Sequence, residues 1–284
     1  MLELVSFADL RSWTRAQRAA GRRIGFIPTM GYLHEGHLAL VDEAKRRADV
    51  VILSIFVNPL QFGLTEDLAR YPRDLPRDRG LASARGVDAI FVPTKASMYP
   101  TGSEVRLAPG PIADRWEGAA RPGHFAGVLT VVAKLFNLVE PDLACFGQKD
   151  VQQLTLIRRM VQDLDWPVEI ATVPTVREPD GLALSSRNAY LGSADRKRAA
   201  VLSRALQAAY QAWRGGERQA EAVEARMRQE LGGEPAVAVE YISIADPDAL
   251  APVETVDENT VVSLAARIGG TRLIDNIKLG EGIR

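Results

Sequence analysis

The sequence predicts an α/β protein with a Rossmann-like, doubly wound parallel sheet, followed by a second, smaller α+β domain. Several short segments between residues 24 and 174 are apolar on both faces, as buried parallel strands are. Segments with helical periodicity lie between them, and this alternation favours one sheet with right-handed crossovers. Beyond residue 188 the pattern changes to two helices followed by further strands.

The elements of the first domain follow one another from residue 23 to about residue 175. The predicted strands are 24–29, 50–57, 89–93, 143–147 and 168–174. The predicted helices are 37–48, 124–139 and 151–165. In the first of these helices Leu38, Val41 and Ala44 share one side, as in an amphipathic helix. Doubly wound sheets bind ligands beyond the carboxyl ends of their strands, so we expect the chemistry in the loops that follow them.

The second domain is predicted from the change of pattern, and we divide the chain into domains of residues 1–176 and 177–284. Its predicted helices are 195–213 and 217–231, and its predicted strands are 237–244, 261–267 and, more weakly, 274–279. Residues 62–79, between two strands of the first domain, are polar, proline-bearing and rich in charge. This segment is interpreted as either a solvated loop or a lid over the site.

Composition narrows the class of protein. With 46% hydrophobic and 25% charged residues, the 284-residue chain has the balance of an ordinary globular protein. The 35 basic and 36 acidic side chains nearly cancel, which favours neither a nucleic acid nor a membrane surface as a partner. No segment approaches the ~20 apolar residues of a membrane span, and the first 23 residues lack the apolar run of a signal peptide, so we expect a cytoplasmic protein. The single cysteine, Cys145, lies in an apolar segment and is interpreted as structural.

The motif H-x-G-H follows the first predicted strand and opens the first predicted helix. His34 and His37 are three residues apart, so on a first helical turn they face the same way. Helix N-termini suit phosphate, and Gly36 lets a nucleotide approach the backbone. The two imidazoles can follow charge that develops on a departing diphosphate. The alternative is a pair of surface histidines, although chance would place this motif in roughly one such chain in several hundred.

Two further segments have the composition of phosphate-binding loops. Residues 146–150 (FGQKD) end the fourth predicted strand, and Lys149 can place a mobile positive charge against phosphate. Alone, this segment is also compatible with a turn and a helix cap. Residues 184–187 (LSSR) lie where the two domains meet and offer two hydroxyls and a guanidinium as a clamp for triphosphate, or simply a polar turn. The P-loop motif is absent from the sequence.

Neutral amides mark the acid-binding part of the predicted site. Gln61 follows the second strand in the segment 58–62 (NPLQF), and Gln153 lies on a later helix. An amide can donate to a carboxylate and accept from a hydroxyl, which suits a hydroxylated acid. The segment 121–124 (RPGH) precedes a helix and offers a site for an anionic group, or a helix cap.

In this combination and order, the motifs resemble the pantothenate synthetase family of the H-x-G-H nucleotidyl-transferase superfamily. The resemblance covers most of residues 23–191 and adds the segments 71–73 (YPR), 125–128 (FAGV) and 174–177 (PTVR) to those above. It implies an ATP-dependent ligase that joins pantoate to β-alanine through a pantoyl-adenylate, with Mg2+. It also implies a cytoplasmic homodimer whose first domain binds ATP and pantoate and whose second domain forms a lid.

The resemblance also implies roles for individual residues. His37, His34 and Lys149 are the implied catalytic residues, with His37 the proton donor to the phosphates. Gln61 would contact both pantoate and β-alanine, and Gln153 would contact pantoate. We add Asn58, Arg121 and His124 as candidate substrate-binding residues from their positions. The implied ATP contacts are Met30, Gly31, Tyr32, Leu33, His34, Glu35, Gly36, His37, Gly147, Gln148, Lys149, Asp150, Val176, Leu184, Ser185, Ser186 and Arg187.

The sequence departs from the family pattern at two residues and in one segment. Gln148 stands where many relatives have glutamate, and Leu184 where many have methionine. Residues 62–79 match poorly, so the ligands of the metal are left open.

The alternatives are a nucleotidyltransferase that moves AMP onto a phosphate monoester, and a nucleotide-sensing module that binds ATP without turnover. A tRNA synthetase is disfavoured by the balanced charge and the short second domain.

Overall fold

The computed structural model describes residues 1–64 and 66–283, so Thr65 of the predicted loop and Arg284 lie outside the described part of the chain. The chain divides into two compact units. The first unit contains residues 1–110, 121–147 and 156–173. The second contains residues 111–120 and 148–155 and the chain from Pro174 onward.

One or more helices separate consecutive strands as far as β6. In chain order the strands are β1 (Leu2–Leu4), β2 (Ile24–Thr29), β3 (Val50–Ile55), β4 (Ala89–Phe91), β5 (Leu143–Gly147), β6 (Glu169–Val173), β7 (Val237–Ala245), β8 (Val261–Ile268) and β9 (Thr271–Lys278). The helices are α1 (Phe7–Ala19), α2 (Glu35–Arg47), α3 (Leu75–Ala84), α4 (Lys95–Met98), α5 (Trp116–Ala120), α6 (His124–Val139), α7 (Val151–Asp163), α8 (Ser193–Ala199), α9 (Val201–Arg214) and α10 (Ala220–Gly232). Short 3-10 turns cover Pro59–Gln61, Asp67–Ala69, Pro111–Asp114, Gln148–Asp150 and Ser186–Tyr190.

Within the described residues, the first unit is built on a six-stranded sheet in the order β1-β4-β3-β2-β5-β6. Every pair of neighbouring strands in it is parallel. The strand order changes direction between β2 and β5, which makes their carboxyl ends the topological switch point where such sheets bind ligands. Ile24, Phe26 and Ile27 of β2 are fully buried, as a central strand covered on both faces requires.

The predicted fold class is confirmed, and the predicted elements differ mainly at their ends. β2, β5 and α6 have the predicted bounds. Helix α2 begins two residues early, at Glu35, because His34 caps it with its own side chain. The single helix predicted at 195–213 is two helices, α8 and α9, which meet at Ala200.

The predicted loop 62–79 is partly helical. It contains the turn Asp67–Ala69 and the beginning of α3, whose N-cap is Asp74. The prediction overlooked α3 because its charged residues obscure the helical pattern. It also overlooked β1, a strand of 3 residues whose first two are exposed.

The second unit contains the antiparallel sheet β7-β8-β9, with α9 and α10 packed against it. Helix α9 buries Leu202, Leu206 and Ala209, which recur at the helical spacing and face the core of this unit. No helix in the described part of the chain is long and apolar enough to cross a membrane.

Within the second unit, a buried ion pair connects the segment that follows β6 to β9. The Arg177 guanidinium donates to both carboxylate oxygens of Asp275, at 2.6 and 3.0 Å, and also to the Gly181 and Asn276 carbonyls. Only 6% of the Arg177 side chain and 2% of the Asp275 side chain are exposed. The paired charges satisfy each other away from water, so removing either one leaves the other uncompensated.

We expect Arg177→Met to lower the free energy of unfolding by about 3–5 kcal/mol, because it leaves the Asp275 carboxylate buried without a counter-charge. The measurement is urea unfolding of the whole protein. Arg196→Met is the matched control, since Arg196 pairs with Asp180 at 2.6 Å on the surface of the same unit. That substitution should cost about 0–1 kcal/mol. Equal losses for the two variants would show that the buried pair has no special weight.

Candidate active site

The loop that follows β2 has an unusual backbone conformation. Gly31 and Tyr32 both lie in the left-handed region, with φ of 85° and 52°. A Cβ atom at Gly31 would lie 2.9 Å from Ile55 Cγ2 and 3.0 Å from Asp78 Oδ2, so only glycine fits there without a shift. For Tyr32 this conformation costs of order 1–3 kcal/mol, and the surroundings must hold it in place.

The carboxylate of Asp78 holds this loop. Asp78 lies on α3 and is 1% exposed. Its Oδ2 accepts from the Tyr32 N–H and its Oδ1 from the Leu33 N–H, both at 2.7 Å. Burial raises the pKa of Asp78, and the two N–H donors act in the opposite direction. Asp78 was not predicted from the sequence, because an aspartate in a charge-rich segment looks like any solvated residue.

The two histidines of the H-x-G-H motif cap α2, and a backbone N–H fixes the tautomer of each ring. The Gly36 N–H donates to Nδ1 of His34 at 3.2 Å, and the His34 N–H donates to Nδ1 of His37 at 3.3 Å. A backbone N–H can only donate, so both Nδ1 atoms are acceptors and each neutral ring carries its proton on Nε2. The ring centroids are 4.1 Å apart. The loop therefore supplies two imidazole N–H donors at a helix N-terminus, an arrangement suited to phosphate.

Asn58 and Gln61 lie in the segment that follows β3, in the first unit. Both side chains are buried, and Asn58 Nδ2 donates to Gln61 Oε1 at 3.0 Å. Gln61 Nε2 lies 3.3 Å from Met30 Sδ, so the segments after β2 and β3 meet. A Cβ on Gly127 would overlap the Leu60 carbonyl, and glycine there lets α6 pack closely against this segment.

Arg121 and His124 contact the backbone of Gln61. His124 Nδ1 lies 2.8 Å from the Gln61 carbonyl, and its Nε2 lies 3.0 Å from Arg121 Nη1. A carbonyl only accepts and a guanidinium only donates, so these two contacts fit the tautomer of His124 that carries its proton on Nδ1. Arg121 also pairs with Glu66 at 2.5 Å. Burial acts to raise the pKa of Glu66, but Arg121 holds it below its ordinary value. The guanidinium predicted to hold an anionic group thus already has a carboxylate partner.

Of the other predicted phosphate-binding segments, residues 148–150 and 184–187 belong to the second unit, whereas Phe146 and Gly147 belong to the first. Asn276 of β9 donates through Nδ2 to the carbonyls of Gln148 and Lys149, at 3.0 and 2.7 Å, and so holds the turn that carries Lys149. The Leu184 N–H donates to the Val176 carbonyl at 2.9 Å, which brings these two predicted ATP contacts together. Asn276 was not predicted from the sequence, because it lies far from the turn along the chain.

Ser185, Ser186 and Arg187 form a turn in the same unit. The hydroxyl of Ser185 accepts from the Arg187 N–H at 3.2 Å, and Ser186 is buried. Gln153 is partly buried in the first turn of α7. Its neighbour Gln152 has a structural role, because its amide bonds to the backbone of Ile112, Arg115 and Glu117.

Two groups bear on the chemistry that is open to this site. Cys145 is fully buried, and burial raises its pKa to about 12, which confirms the structural interpretation and makes it a poor nucleophile. Among residues 1–64 and 66–283, no cluster of three or more His, Cys, Asp and Glu side chains could hold a metal ion.

The chain is similar to proteins of one family along nearly its whole length. The profile described as pantoate-beta-alanine ligase matches residues 4–278. A pantothenate synthetase from Moorella thermoacetica is 51% identical over 276 residues, covering 97% of this chain and 98% of the relative. The crystal structure of pantothenate synthetase from Thermus thermophilus superposes with a TM-score of 0.93 at 48% identity, covering 98% of this chain and 99% of that one. The pantoate-beta-alanine ligase of Francisella tularensis, solved with beta-gamma ATP and beta-alanine, gives a TM-score of 0.81 at 34% identity and covers both chains fully.

We expect Asp78→Asn to loosen the loop after β2, because an amide offers only one acceptor where the carboxylate accepts from two N–H groups. The free energy of unfolding should fall by about 1–3 kcal/mol. Amide hydrogen exchange at Tyr32 and Leu33 should become faster. Asp74→Asn is the matched control, since Asp74 caps α3 and asparagine is an equally good cap. Unchanged exchange at Tyr32 and Leu33 in Asp78→Asn would contradict the assigned role.

Proposed function

The chain belongs to the pantoate-beta-alanine ligase family, and on that premise we propose that it condenses (R)-pantoate with β-alanine. The reaction consumes ATP, passes through a pantoyl-adenylate, and yields pantothenate, AMP and diphosphate. The observation that carries the proposal is the pair His34 and His37. Their Nε2 protons are fixed at the N-terminus of α2, the helix that follows the switch-point strand β2. The family match over residues 4–278 assigns the substrates.

On the phosphate side, we propose that His37 donates to the phosphates as charge moves from the α-phosphate to the departing diphosphate. Because Nδ1 of this ring accepts from the His34 backbone, the ring is held in place before the reaction begins. A preorganised donor of this kind costs no reorganisation in the transition state. Lys149, Ser186 and Arg187 of the second unit are proposed to bind the triphosphate, together with the other ATP contacts predicted above.

On the acid side, Gln61 is proposed to contact both pantoate and β-alanine, and Gln153 to contact pantoate. Asn58, Arg121 and His124 remain proposed substrate-binding residues. Their contacts in the first unit support an indirect role, because all three hold Gln61 through its side chain or its carbonyl.

Two half-reactions follow from the chemistry of the carboxylate. Its oxygen is a very poor leaving group, and joining it to AMP creates a mixed anhydride that an amine can attack. The proposed phosphate-binding residues include no obvious acyl-enzyme nucleophile, and Cys145 is buried with a raised pKa. We therefore propose adenylate formation first and attack by β-alanine second, with the adenylate kept from water between the steps.

Mg2+ is proposed to arrive bound to the phosphates of ATP. The described residues offer no preformed cluster of carboxylates or imidazoles for it, and Mg2+ commonly takes few protein ligands and keeps substrate phosphates. Its contribution would be to neutralise phosphate charge. We also propose a cytoplasmic homodimer, with residues 1–176 binding ATP and pantoate and residues 177–284 acting as a lid; the family resemblance supports these points.

We expect His37→Ala to lower kcat about a hundredfold or more, on the order of 3 kcal/mol, because it removes a donor that strengthens its contact as charge develops. The dissociation constant for ATP, measured by calorimetry, should change far less. Lys45→Ala, on the exposed side of the same helix, is the control and should leave both quantities within about twofold. Equal losses of kcat and of ATP affinity would show that His37 binds the ground state and the transition state equally. His37 would then not have the proposed catalytic role.

The proposed order of the two half-reactions predicts which product receives an oxygen atom from the carboxylate of pantoate. A heavy-oxygen label in the carboxylate of pantoate should appear in AMP and not in diphosphate. Diphosphate should exchange into ATP when pantoate is present and β-alanine absent. Rapid mixing without the amine should release about one diphosphate per active site and then slow. Label in inorganic phosphate, with ADP as product, would identify an acyl phosphate and refute the adenylate. AMP transfer to a phosphate monoester, or ATP binding without turnover, would refute the ligase.

A further inference from the structure

The side chain of Gln61 is oriented by a chain of hydrogen bonds that begins at a tyrosine outside the predicted site. We propose that Tyr99 is a positioning residue which, through Asn58, fixes the amide of Gln61 with Nε2 rather than Oε1 directed toward the acid substrate. This inference rests on the proposed function, in which Gln61 contacts pantoate and β-alanine. It refines the sequence-based expectation that Gln61 both donates and accepts.

The orientation of Asn58 can be read from its contacts with backbone groups, which cannot exchange their roles. The Leu60 N–H donates to Oδ1 of Asn58 at 3.3 Å, and Nδ2 of Asn58 donates to the Gly127 carbonyl at 3.1 Å. A flipped amide would place an N–H against an N–H and an oxygen against a carbonyl. The side chain is 1% exposed, so water offers no replacement partners.

With Asn58 fixed, the direction of the next two bonds follows. The Tyr99 hydroxyl lies 2.9 Å from Oδ1 of Asn58 and must donate to it. The second hydrogen on Nδ2 is directed at Oε1 of Gln61, at 3.0 Å. Oε1 is thereby used as an acceptor inside the protein, and Nε2 is left as the group that Gln61 offers to a ligand.

Tyr99 is suited to donate and not to ionise. Its ring lies 6.0 Å from that of Phe56, and the cations of Arg106 and Lys134 each lie 5.7 Å from its centroid. Burial raises the pKa of Tyr99 to about 12, although Arg106 acts to lower it, so the hydroxyl keeps its proton at neutral pH. The Lys134 ammonium also donates to the Met98 carbonyl, beside Tyr99 in the chain.

The consequence for recognition is an amide that presents its donor group to a ligand. Among residues 1–64 and 66–283, Nε2 of Gln61 is directed at Met30 Sδ, a weak acceptor, and no protein oxygen accepts from it. A carboxylate oxygen is a far better partner for this N–H than a thioether. A flipped amide would instead set Oε1 against the carboxylate, where two acceptors repel each other. The relay therefore favours acids at this position.

Tyr99→Phe tests the relay, because it removes only the hydroxyl and keeps the ring. We expect KM for pantoate to rise about tenfold, with KM for ATP within about twofold of the wild type. Tyr241→Phe is the matched control: it removes a partly buried tyrosine hydroxyl of the second unit, which donates to Glu117 at 3.4 Å, and should change neither constant. Gln61→Glu replaces the donor N–H group of the side chain with an acceptor oxygen. It should raise KM for pantoate more than Tyr99→Phe does.

A second measurement does not depend on substrate. In the amide spectrum of nitrogen-15-labelled protein, the side-chain N–H groups of Asn58 should exchange with solvent at least about tenfold faster in Tyr99→Phe than in the wild type or in Tyr241→Phe. If the wild type fails to join pantoate to β-alanine, the proposed function is wrong, and the exchange result still decides the relay. Unchanged exchange at Asn58, or equal increases in KM for ATP and pantoate, would overturn the inference.

Discussion

The predicted phosphate-binding loop depends on one buried carboxylate. Asp78 accepts from the Tyr32 and Leu33 N–H groups, and these bonds offset the cost of the left-handed conformation at Tyr32. That turn brings the chain from the end of β2 into the capping position of His34. The protonation of His34 and of His37 then follows from the backbone around them. A side chain on α3 thus determines the conformation in which the imidazoles are presented.

In the first unit, backbone groups determine whether particular side-chain atoms donate or accept hydrogen bonds. This is the common principle of its polar contacts. A backbone N–H cannot accept and a carbonyl cannot donate, so each fixes the role of the ring or amide that it meets. His37 is assigned by the His34 N–H, His124 by the Gln61 carbonyl, and Asn58 by Leu60 and Gly127. The chemical character of these side chains is therefore a consequence of the fold.

Periodic and contiguous features could be predicted from the sequence, and contacts across long separations could not. β2, β5 and α6 were predicted to the residue because apolar pattern marks buried strands and helices. The H-x-G-H motif was found because its chemistry lies within four residues. By contrast, Asp78 acts 46 positions from Tyr32, Tyr99 acts 41 from Asn58, and Asn276 acts 127 from Lys149. No local pattern distinguishes these three from solvated polar residues.

Gln61 shows why such distant contacts matter for the proposed reaction. Its carbonyl is held by Arg121 and His124, and its side-chain oxygen is held by Asn58. With both ends restrained, the amide loses little further freedom when a ligand binds, and the N–H it offers is already aimed. A small acid provides few atoms with which to offset the ordering of a protein side chain. Recognition of such a substrate therefore depends less on the number of its contacts than on how completely those contacts are arranged beforehand.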